Sequence, residues 1–242
     1  SQNNALANGV HAAVYESLVY YNSKTFKPEP VLATAWKQVT PTQLRLNLRT
    51  GVKFHDGSTF SADDAVFSIE RAMSKTSNFG IYAQGIDRVV KVDANTIDIF
   101  TKDPNPVLLN QLTELRMMSK AWAEKNNSTS PKDIKTQDET FAHRNANGTG
   151  PFMLKEWQPD QKIVLVKNAA WWGKSEGNVT EIVYTPVKAV ATRMAALLSG
   201  EVDLVLDPSP QDLPRVRSDA SLKVIDGIEN RTIFFGMDQF RD

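Results

Sequence analysis

Histidines and paired carboxylates are the side chains of this sequence that could bind a metal or transfer protons. The three histidines, His11, His55 and His143, lie far apart in different predicted elements. The sequence has neither an H-E-x-x-H motif nor a two-histidine-one-carboxylate spacing. His55 stands in the turn-forming stretch Phe54–Gly57, where a role in the turn is favoured over metal ligation. The sequence therefore predicts no metal site and no cofactor.

Nucleophilic and nucleotide-binding motifs are also missing from the sequence. The chain contains no cysteine, which excludes disulfides, thiolate nucleophiles and cysteine-ligated zinc. Neither a G-x-S-x-G elbow nor a P-loop is present. Gly148-Thr149-Gly150 begins like a dinucleotide fingerprint, but Pro151 follows it and a polar loop rather than a strand precedes it. We expect no nucleotide to bind there.

Acidic residues are numerous enough that counting does not exclude a hydrolase with a catalytic carboxylate pair. The chain has 28 Asp and Glu residues, and glycosidases show that two of them suffice for hydrolysis. Asp63 and Asp64 are explained by the start of a helix, where the dipole favours negative charge. Glu201 and Asp203 are explained as edge positions of a predicted strand. A hydrolase stays open as an alternative.

Aromatic side chains suggest two possible ligand contacts. Trp171-Trp172, with Trp157 and Trp36 elsewhere, could stack on a sugar or a base, although core packing is the favoured interpretation. Tyr82 lies in a connection, residues 77–84, for which no regular structure is predicted. Large side chains in such loops often face a ligand. Packing of the loop onto the body explains Tyr82 equally well.

The composition is that of a globular chain of 242 residues with ample material for a core. It is 41% hydrophobic and 23% charged. The 28 basic and 28 acidic residues give a formal net charge of zero, which argues against a nucleic-acid binder that relies on a basic surface. No run of eighteen apolar residues predicts a membrane-spanning helix.

Helical and strand-like periodicities alternate along the chain, which predicts a mixed α and β fold. Leucines at positions 44, 46 and 48 share one face of the clearest strand. Ser61 and Asp64 form the capping box of the best-marked helix. The polar stretch 126–147 is predicted to be a surface loop. The elements predicted up to residue 150 are helices over Leu6–Tyr21, from Ser61, over Val107–Leu115 and near Pro131–Ile134, the strand Gln43–Arg49, and a hairpin over Val89–Thr101.

The last third predicts a hairpin followed by a β-α-β unit. Two strands over Phe152–Val166 flank a turn at Pro159-Asp160. An extended segment over Val179–Pro186, a helix over Val190–Leu198 that stops at Gly200, and an alternating strand over Val202–Leu206 form the unit. The remaining predicted elements are a short helix that begins at Ser209-Pro210 and extended segments over Lys223–Ile225 and Arg231–Met237.

Six blocks of this sequence, in the same order, resemble the extracellular solute-binding proteins of family 5, the oligopeptide, dipeptide and nickel class. The resemblance spans nearly the whole chain and is specific for the family, but not for the ligand. The matching blocks are Ala33–Trp36, Leu44–Gly57, Phe60–Ser68, Gly148–Phe152, Asn168–Trp172 and Arg193–Asp203.

The resemblance implies an α/β fold of the periplasmic-binding-protein type, class II, in which two lobes close around a ligand. This chain would be the first lobe, with a mixed β-sheet and an inserted α+β subdomain, and the second lobe would be missing from it. Residues 1–30 and 148–242 would form the lobe, and residues 31–147 the inserted subdomain.

The resemblance also implies a function and a location. The protein would be a non-enzymatic component of an ABC importer that captures a small peptide or similar solute and delivers it to a permease in the membrane. It would be a periplasmic or extracellular monomer whose signal sequence has been removed, and it would bind no nucleic acid. Oligopeptide, dipeptide, glutathione, nickel chelate and sugar all remain open as ligands. A sensor or receptor accessory is a further alternative.

Six residues are ligand-contact candidates by this resemblance. Tyr82 is similar to an aromatic that faces the ligand in relatives, and Arg116 to an arginine that nickel carriers place against an anionic chelate. A solvent-facing arginine at a helix end explains Arg116 equally well. The other four candidates follow or precede predicted strands, where turn roles are the alternative: Asp207, Pro208, Asn230 and Arg231.

Overall fold

The computed structural model describes residues 5–132, 139–175 and 177–227 of the chain. The chain divides into two compact units, 1–185 and 186–242. The first unit contains six helices and nine strands within the described residues, and the second contains two helices. In chain order the elements are α1 (Ala5–Val14), β1 (Val19–Asn22), β2 (Lys27–Pro30), β3 (Ala33–Thr40), β4 (Gln43–Leu48), α2 (Ala62–Met73), α3 (Gly80–Ala83), β5 (Ile86–Asp93), β6 (Thr96–Thr101), α4 (Leu108–Leu112), α5 (Lys120–Lys125), α6 (Phe141–Arg144), β7 (Phe152–Gln158), β8 (Lys162–Lys167), β9 (Glu181–Tyr184), α7 (Val190–Ser199) and α8 (Leu213–Ser218).

An antiparallel four-stranded sheet of order β3-β4-β6-β5 forms the centre of the first unit. The predicted strand and hairpin are both confirmed. Leu46 pairs with Ile97 and Leu44 with Ile99, so the apolar faces of β4 and β6 coincide. Helix α2 packs against β5 and β6 and contributes Ile69 to the core that these side chains share. Alternation of apolar residues therefore predicted the buried face of this sheet.

The capping residues of α2 also fix a distant segment of the chain. The Ser61 backbone N–H donates to Asp64 Oδ2 at 2.9 Å, as the capping box requires. The other oxygen, Asp64 Oδ1, accepts from the Lys120 backbone N–H at 2.9 Å. One turn later, Ser68 Oγ accepts from the Met118 backbone N–H at 2.8 Å. Segment 116–120 is thereby held against α2.

A second antiparallel sheet, of order β7-β8-β9, contains the other predicted hairpin. Asp160 occupies its turn with a left-handed φ of 57°. Asp is among the residues that tolerate this conformation. Strands β1 and β2 form a separate antiparallel pair.

Two glycines of the Gly148-Thr149-Gly150 segment are explained by a close backbone approach. A Cβ at Gly148 would lie 2.0 Å from the Val14 carbonyl oxygen, and one at Gly150 would lie 2.5 Å from the Ala13 carbonyl oxygen. The end of α1 occupies the space that side chains would need. These glycines therefore serve packing.

Two predictions for the first unit need correction. The helix predicted over Leu6–Tyr21 ends at Val14, because the following residues make sheet contacts: Ser17 forms an antiparallel bridge with Arg116, and Val19 begins β1. The helix predicted over Val107–Leu115 is shorter, at Leu108–Leu112. Of the helix predicted near Pro131–Ile134, residues 133 and 134 lie outside the described residues.

The second unit confirms one predicted helix and contradicts other elements. Helix α7 ends at Gly200, whose φ of 76° is the expected left-handed stop. The strand predicted over Val202–Leu206 is wrong, and the predicted β-α-β unit is therefore wrong as well. An alternating pattern becomes a strand only beside a partner strand, and no described strand pairs with residues 202–206. Leu204 is 68% exposed.

The remaining predictions for this unit concern residues 209–237. The short helix begins after Asp212 instead of after Ser209, since residues 209–212 form a turn in which the Asp212 N–H donates to the Ser209 carbonyl at 2.9 Å. Residues 223–225 form no strand. The segment Arg231–Met237 lies outside the described residues. Throughout the part of the chain that the structure describes, no helix combines the length and apolar character that crossing a bilayer requires.

Candidate functional site

A cavity of about 220 Å³ opens in the first unit beside α1 and α2. We call it the arginine cavity, after Arg71 and Arg116 in its wall. Its other polar residues include His11, Tyr15 and His143. Part of its wall is apolar and contains Ala72, Phe79, Leu115 and Met118. The cavity therefore offers cationic groups beside a hydrocarbon surface.

Arg116, one of the predicted site residues, is placed in this cavity by backbone contacts on both of its sides. It forms an antiparallel bridge with Ser17, and the next residue, Met117, donates its N–H to the Glu16 carbonyl at 2.8 Å. The Arg116 guanidinium donates to Ser17 Oγ across 3.4 Å, a long hydrogen bond. Burial lowers the pKa of this guanidinium, and Glu114 opposes that shift.

Arg71 lies on α2, three residues after Ser68 and on the same face of the helix. Its Nε donates to the Ser128 carbonyl across 3.4 Å. Burial lowers the pKa of the Arg71 guanidinium, and the nearby Tyr15 opposes that shift. The sequence analysis assigned no function to Arg71, which the fold places in the wall of the same cavity as Arg116.

Two other titratable groups of the cavity wall, His11 and Tyr15, are shifted toward their neutral forms. His11 keeps much of its surface open to solvent, yet desolvation in the cavity lowers its pKa, with a further contribution from the charge of Arg116. Burial raises the pKa of Tyr15 to about 12. His143 Nδ1 accepts from the Thr140 N–H at 2.8 Å. Arginines keep their charge when partly buried, so Arg71 and Arg116 place positive charge in the cavity wall.

Tyr82 lies next to this cavity and does not line it. It belongs to the short helix α3 instead of an irregular loop, and it is half-buried against the main core. Its ring centroid is 6.3 Å from that of Phe79, which is part of the cavity wall. Tyr82 therefore packs against the core beside the cavity, a position compatible both with loop packing and with a ligand contact.

The remaining candidate residues lie away from the first unit or outside the description. Asp207 and Pro208 belong to the second unit, where Asp207 is exposed and has a left-handed φ of 51°. Asn230 and Arg231 lie outside the described residues.

The tryptophan pair is bound to a buried carboxylate. The indole N–H groups of Trp171 and Trp172 donate to the two carboxylate oxygens of Glu16, at 3.2 and 2.9 Å. Burial raises the pKa of Glu16, and these indoles partly offset the shift. The Arg49 guanidinium stacks 4.2 Å above the Trp172 ring. These contacts support the packing interpretation over a stacking platform.

His55 has the structural role that its turn predicted. The Gly148 N–H donates to His55 Nδ1 at 3.3 Å, so Nε2 carries the proton and donates to the Gly150 carbonyl at 3.0 Å. Among the described residues, no group of three or more His, Asp or Glu side chains is arranged to hold a metal ion. The two acidic residues at the start of α2 also have structural partners. Asp64 accepts from the Ser61 N–H, and Asp63 forms an ion pair with Lys91 at 2.6 Å.

An open cavity with a partly apolar wall and a few polar groups is typical of small-molecule sites. Residues 27–241 match the family described as bacterial extracellular solute-binding proteins, family 5 Middle. The chain belongs to this family. Its fold is that of one lobe of a periplasmic binding protein with an added α+β region.

Individual relatives support the same assignment. The chain is 29% identical to heme-binding protein A of Haemophilus influenzae over 240 residues, which cover 90% of this chain and 43% of that protein. It is 26% identical to the dipeptide-binding protein of Escherichia coli over 235 residues, covering 88% and 42% of the two chains. The chain thus spans about two fifths of the length of these relatives.

A solved structure shows the same fold. The periplasmic binding protein DppA of Helicobacter pylori, in complex with the peptide STSA, superposes with a TM-score of 0.74 at 28% identity. The match covers 91% of this chain and 45% of that chain.

Proposed function

We propose that this chain is part of the substrate-binding component of an ABC importer, which captures a small peptide or peptide-like solute and delivers it to a membrane permease. The observation that carries the proposal is the family match over residues 27–241. The relatives named above are a dipeptide-binding, a heme-binding and a peptide-bound protein. A dipeptide, a heme and a peptide have free carboxylates in common.

The proposed protein is a non-enzymatic, periplasmic or extracellular monomer. Residues 1–30 and 148–242 form its first lobe, and residues 31–147 form the inserted subdomain. The confinement of the β3-β4-β6-β5 sheet to residues 33–101 and of the β7-β8-β9 sheet to residues 152–184 supports this division. The engagement of Asp63 and Asp64 in helix capping and an ion pair supports a non-catalytic role for that carboxylate pair.

The proposed ligand contacts include Tyr82 and Arg116 in the first unit, and Asp207 and Pro208 in the second. Asn230 and Arg231 complete the set from sequence alone. The position of Arg116 in the wall of an open cavity supports its inclusion. The neighbouring rings of Tyr82 and Phe79 support an apolar contact at the edge of the same cavity.

A peptide library tests this function in the full-length protein that contains this chain. We expect some di- to pentapeptides to raise the melting temperature in proportion to the logarithm of their concentration, because a ligand that binds only the folded state stabilises it by mass action. Mass spectrometry of the same samples should show intact peptides. Turnover of a peptide would refute the non-enzymatic role, and a library without any stabilising member would refute peptide capture.

A further inference from the structure

The hairpin formed by β1 and β2 presents aromatic side chains to solvent. Its base is buried, since Leu18 and Val19 are both 0% exposed. Further along the hairpin, Tyr20 is 54% exposed and Phe26 is 65% exposed. The Phe26 ring meets that of Tyr21 edge-on, with a distance of 6.4 Å between the centroids. The hairpin is therefore anchored in the core at its base and carries apolar surface at its tip.

Phe26 has a backbone conformation that its residue type disfavours. Its φ is 56°, in the left-handed region, where a bulky residue is an outlier. The other non-glycine residues with such a φ in the described part of the chain are of types that tolerate it: Asn127, Asp160 and Asp207. Asparagine or glycine would close the turn at a lower cost. A strained residue whose side chain is exposed points to a use of that side chain outside the fold.

The turn that carries Phe26 is held in one shape by Asn22. The side-chain oxygen of Asn22 accepts from the Lys24 and Thr25 N–H groups at 2.8 and 3.1 Å. The Asn22 carbonyl accepts from the Phe26 N–H at 2.8 Å. Across the hairpin, Asn22 Nδ2 donates to Glu29 Oε1 at 2.6 Å. Because the backbone of the tip is already ordered, little conformational entropy is lost when the tip is buried against a partner.

The charges of the hairpin select among partners. Residues 19–30 contain two lysines, Lys24 and Lys27, and one acidic residue, Glu29. Both lysines are exposed and lie within two residues of Phe26. Lysine is depleted at protein–protein interfaces. Lysines beside exposed aromatic rings are instead typical of the boundary between water and a bilayer that contains anionic lipids.

The prolines of β2 argue against an added strand as the partner. Pro28 and Pro30 have no backbone N–H, so neither can donate a hydrogen bond to a strand at the edge of β2. Prolines in an edge strand are a common protection against pairing with another chain. A partner that contacts side chains fits this hairpin better than one that extends its sheet.

We propose that the tip of the β1-β2 hairpin, residues 20–27, docks on the surface of an anionic lipid bilayer. The Phe26 ring lies among the lipid headgroups, and Lys24 and Lys27 lie beside the lipid phosphates. This surface goes beyond the proposed function, which includes a permease in the membrane but no contact with lipid, and it does not depend on which solute is bound. A weak contact of this kind would keep the protein close to the membrane that holds its permease.

The test is co-sedimentation of the full-length protein with two sets of vesicles at low salt. One set is pure phosphatidylcholine, and the other contains equal parts of phosphatidylcholine and phosphatidylglycerol. We expect binding to the anionic set to be about tenfold tighter or more, because each lysine near an anionic surface contributes about fivefold. High salt should remove this difference, since it screens the charges.

Phe26→Asn is the decisive variant, because asparagine tolerates a left-handed φ. It should weaken binding to the anionic vesicles by about tenfold or more, the effect of one inserted aromatic side chain. Its melting temperature should stay at or above that of the wild type, because the strain in the turn is relieved. Lys24→Gln and Lys27→Gln should each weaken binding by about fivefold. Lys37→Gln removes an exposed lysine of β3 and is the control that should leave binding unchanged.

The outcomes separate a lipid contact from a protein contact and from the proposed function. Equal binding of the wild type and Phe26→Asn to the anionic vesicles would overturn the proposal, as would equal binding of the wild type to both vesicle sets. Absence of vesicle binding, together with reduced ATP hydrolysis by the permease complex in the presence of Phe26→Asn, would overturn it in favour of a contact with the permease. Vesicle binding that depends on Phe26, in a protein that no library peptide stabilises, would support the lipid contact and overturn peptide capture.

Discussion

The close approach of Gly148 to the end of α1 makes a sharp prediction about stability. In Gly148→Ala the new Cβ would lie 2.0 Å from the Val14 carbonyl oxygen, against 3.4 Å or more in ordinary contact. The two backbones must therefore separate by about 1.4 Å, the difference of these distances. That movement overpacks the site and breaks two hydrogen bonds, His55 N–H to the Gly148 carbonyl at 2.9 Å and Gly150 N–H to the Val14 carbonyl at 3.0 Å.

We expect Gly148→Ala to lower the free energy of unfolding by about 3–5 kcal/mol, from about 1–3 kcal/mol of overpacking and about 1 kcal/mol for each hydrogen bond. For a unit of this size that is a fall of roughly 6–20 °C in melting temperature, which calorimetry or circular dichroism measures. Gly177→Ala is the control, because its Cβ would meet no atom within 4 Å. A melting temperature of Gly148→Ala within 2 °C of that control would refute the close approach.

Two further predictions concern buried polar contacts. Asp64→Asn should lower the free energy of unfolding by about 1–2 kcal/mol, since the carboxylate caps α2 and accepts from the Lys120 N–H. Asp63→Asn removes only an exposed ion pair and should lower the free energy of unfolding by less than about 1 kcal/mol. Equal effects of the two variants in urea denaturation would contradict this role of Asp64. Burial lowers the pKa of His55 in the folded protein. As the pH falls below about 6.5, the unfolded chain therefore takes up a proton before the folded protein does. The stabilisation by the neutral ring is complete above that pH and is lost below it. The stability advantage of the wild type over His55→Asn should therefore shrink between pH 7.5 and 5.5, and a constant difference would contradict the inference.

The elements that the sequence predicted well are those with local signals. The alternation of Leu44, Leu46 and Leu48, the capping pair Ser61 and Asp64, and the stop at Gly200 each act within a few residues. Such signals do not depend on which distant segment packs against them. They predicted strand β4 of the central sheet, helix α2 that packs on that sheet, and the end of helix α7 in the second unit.

The predictions that failed concern segments whose structure depends on distant partners. The periodicity of Leu6–Tyr21 was overridden where Ser17 met Arg116, 99 residues away in sequence. The alternating segment Val202–Leu206 has no described strand beside it. Nothing in a single sequence states which segments become neighbours, so a pattern can be present without the structure that it favours.

The candidate site shows the same division. Resemblance to the family indicated Arg116, but not Arg71, which lies 45 positions earlier and shares a cavity wall with it only in the folded unit. Tyr82 was predicted from its loop, and the structure adds the helix α3 and the contact with Phe79.

Asp64 and Ser68 of α2 hold the segment that carries Arg116, and this has a consequence for binding. Asp64 holds the Lys120 N–H at 2.9 Å and Ser68 holds the Met118 N–H at 2.8 Å, so the segment that carries Arg116 is fixed to the helix that carries Arg71. Loss of the Asp64 contact would loosen the position of Arg116, a proposed ligand contact, without removing it. Misplacement of a binding group by a fraction of an ångström weakens its contacts. Asp64→Asn should therefore weaken binding of the peptides that stabilise the full-length protein, whereas Asp63→Asn should not, although neither side chain lines the cavity. If both variants bind these peptides as the wild type does, the helix start stabilises the unit but does not position Arg116.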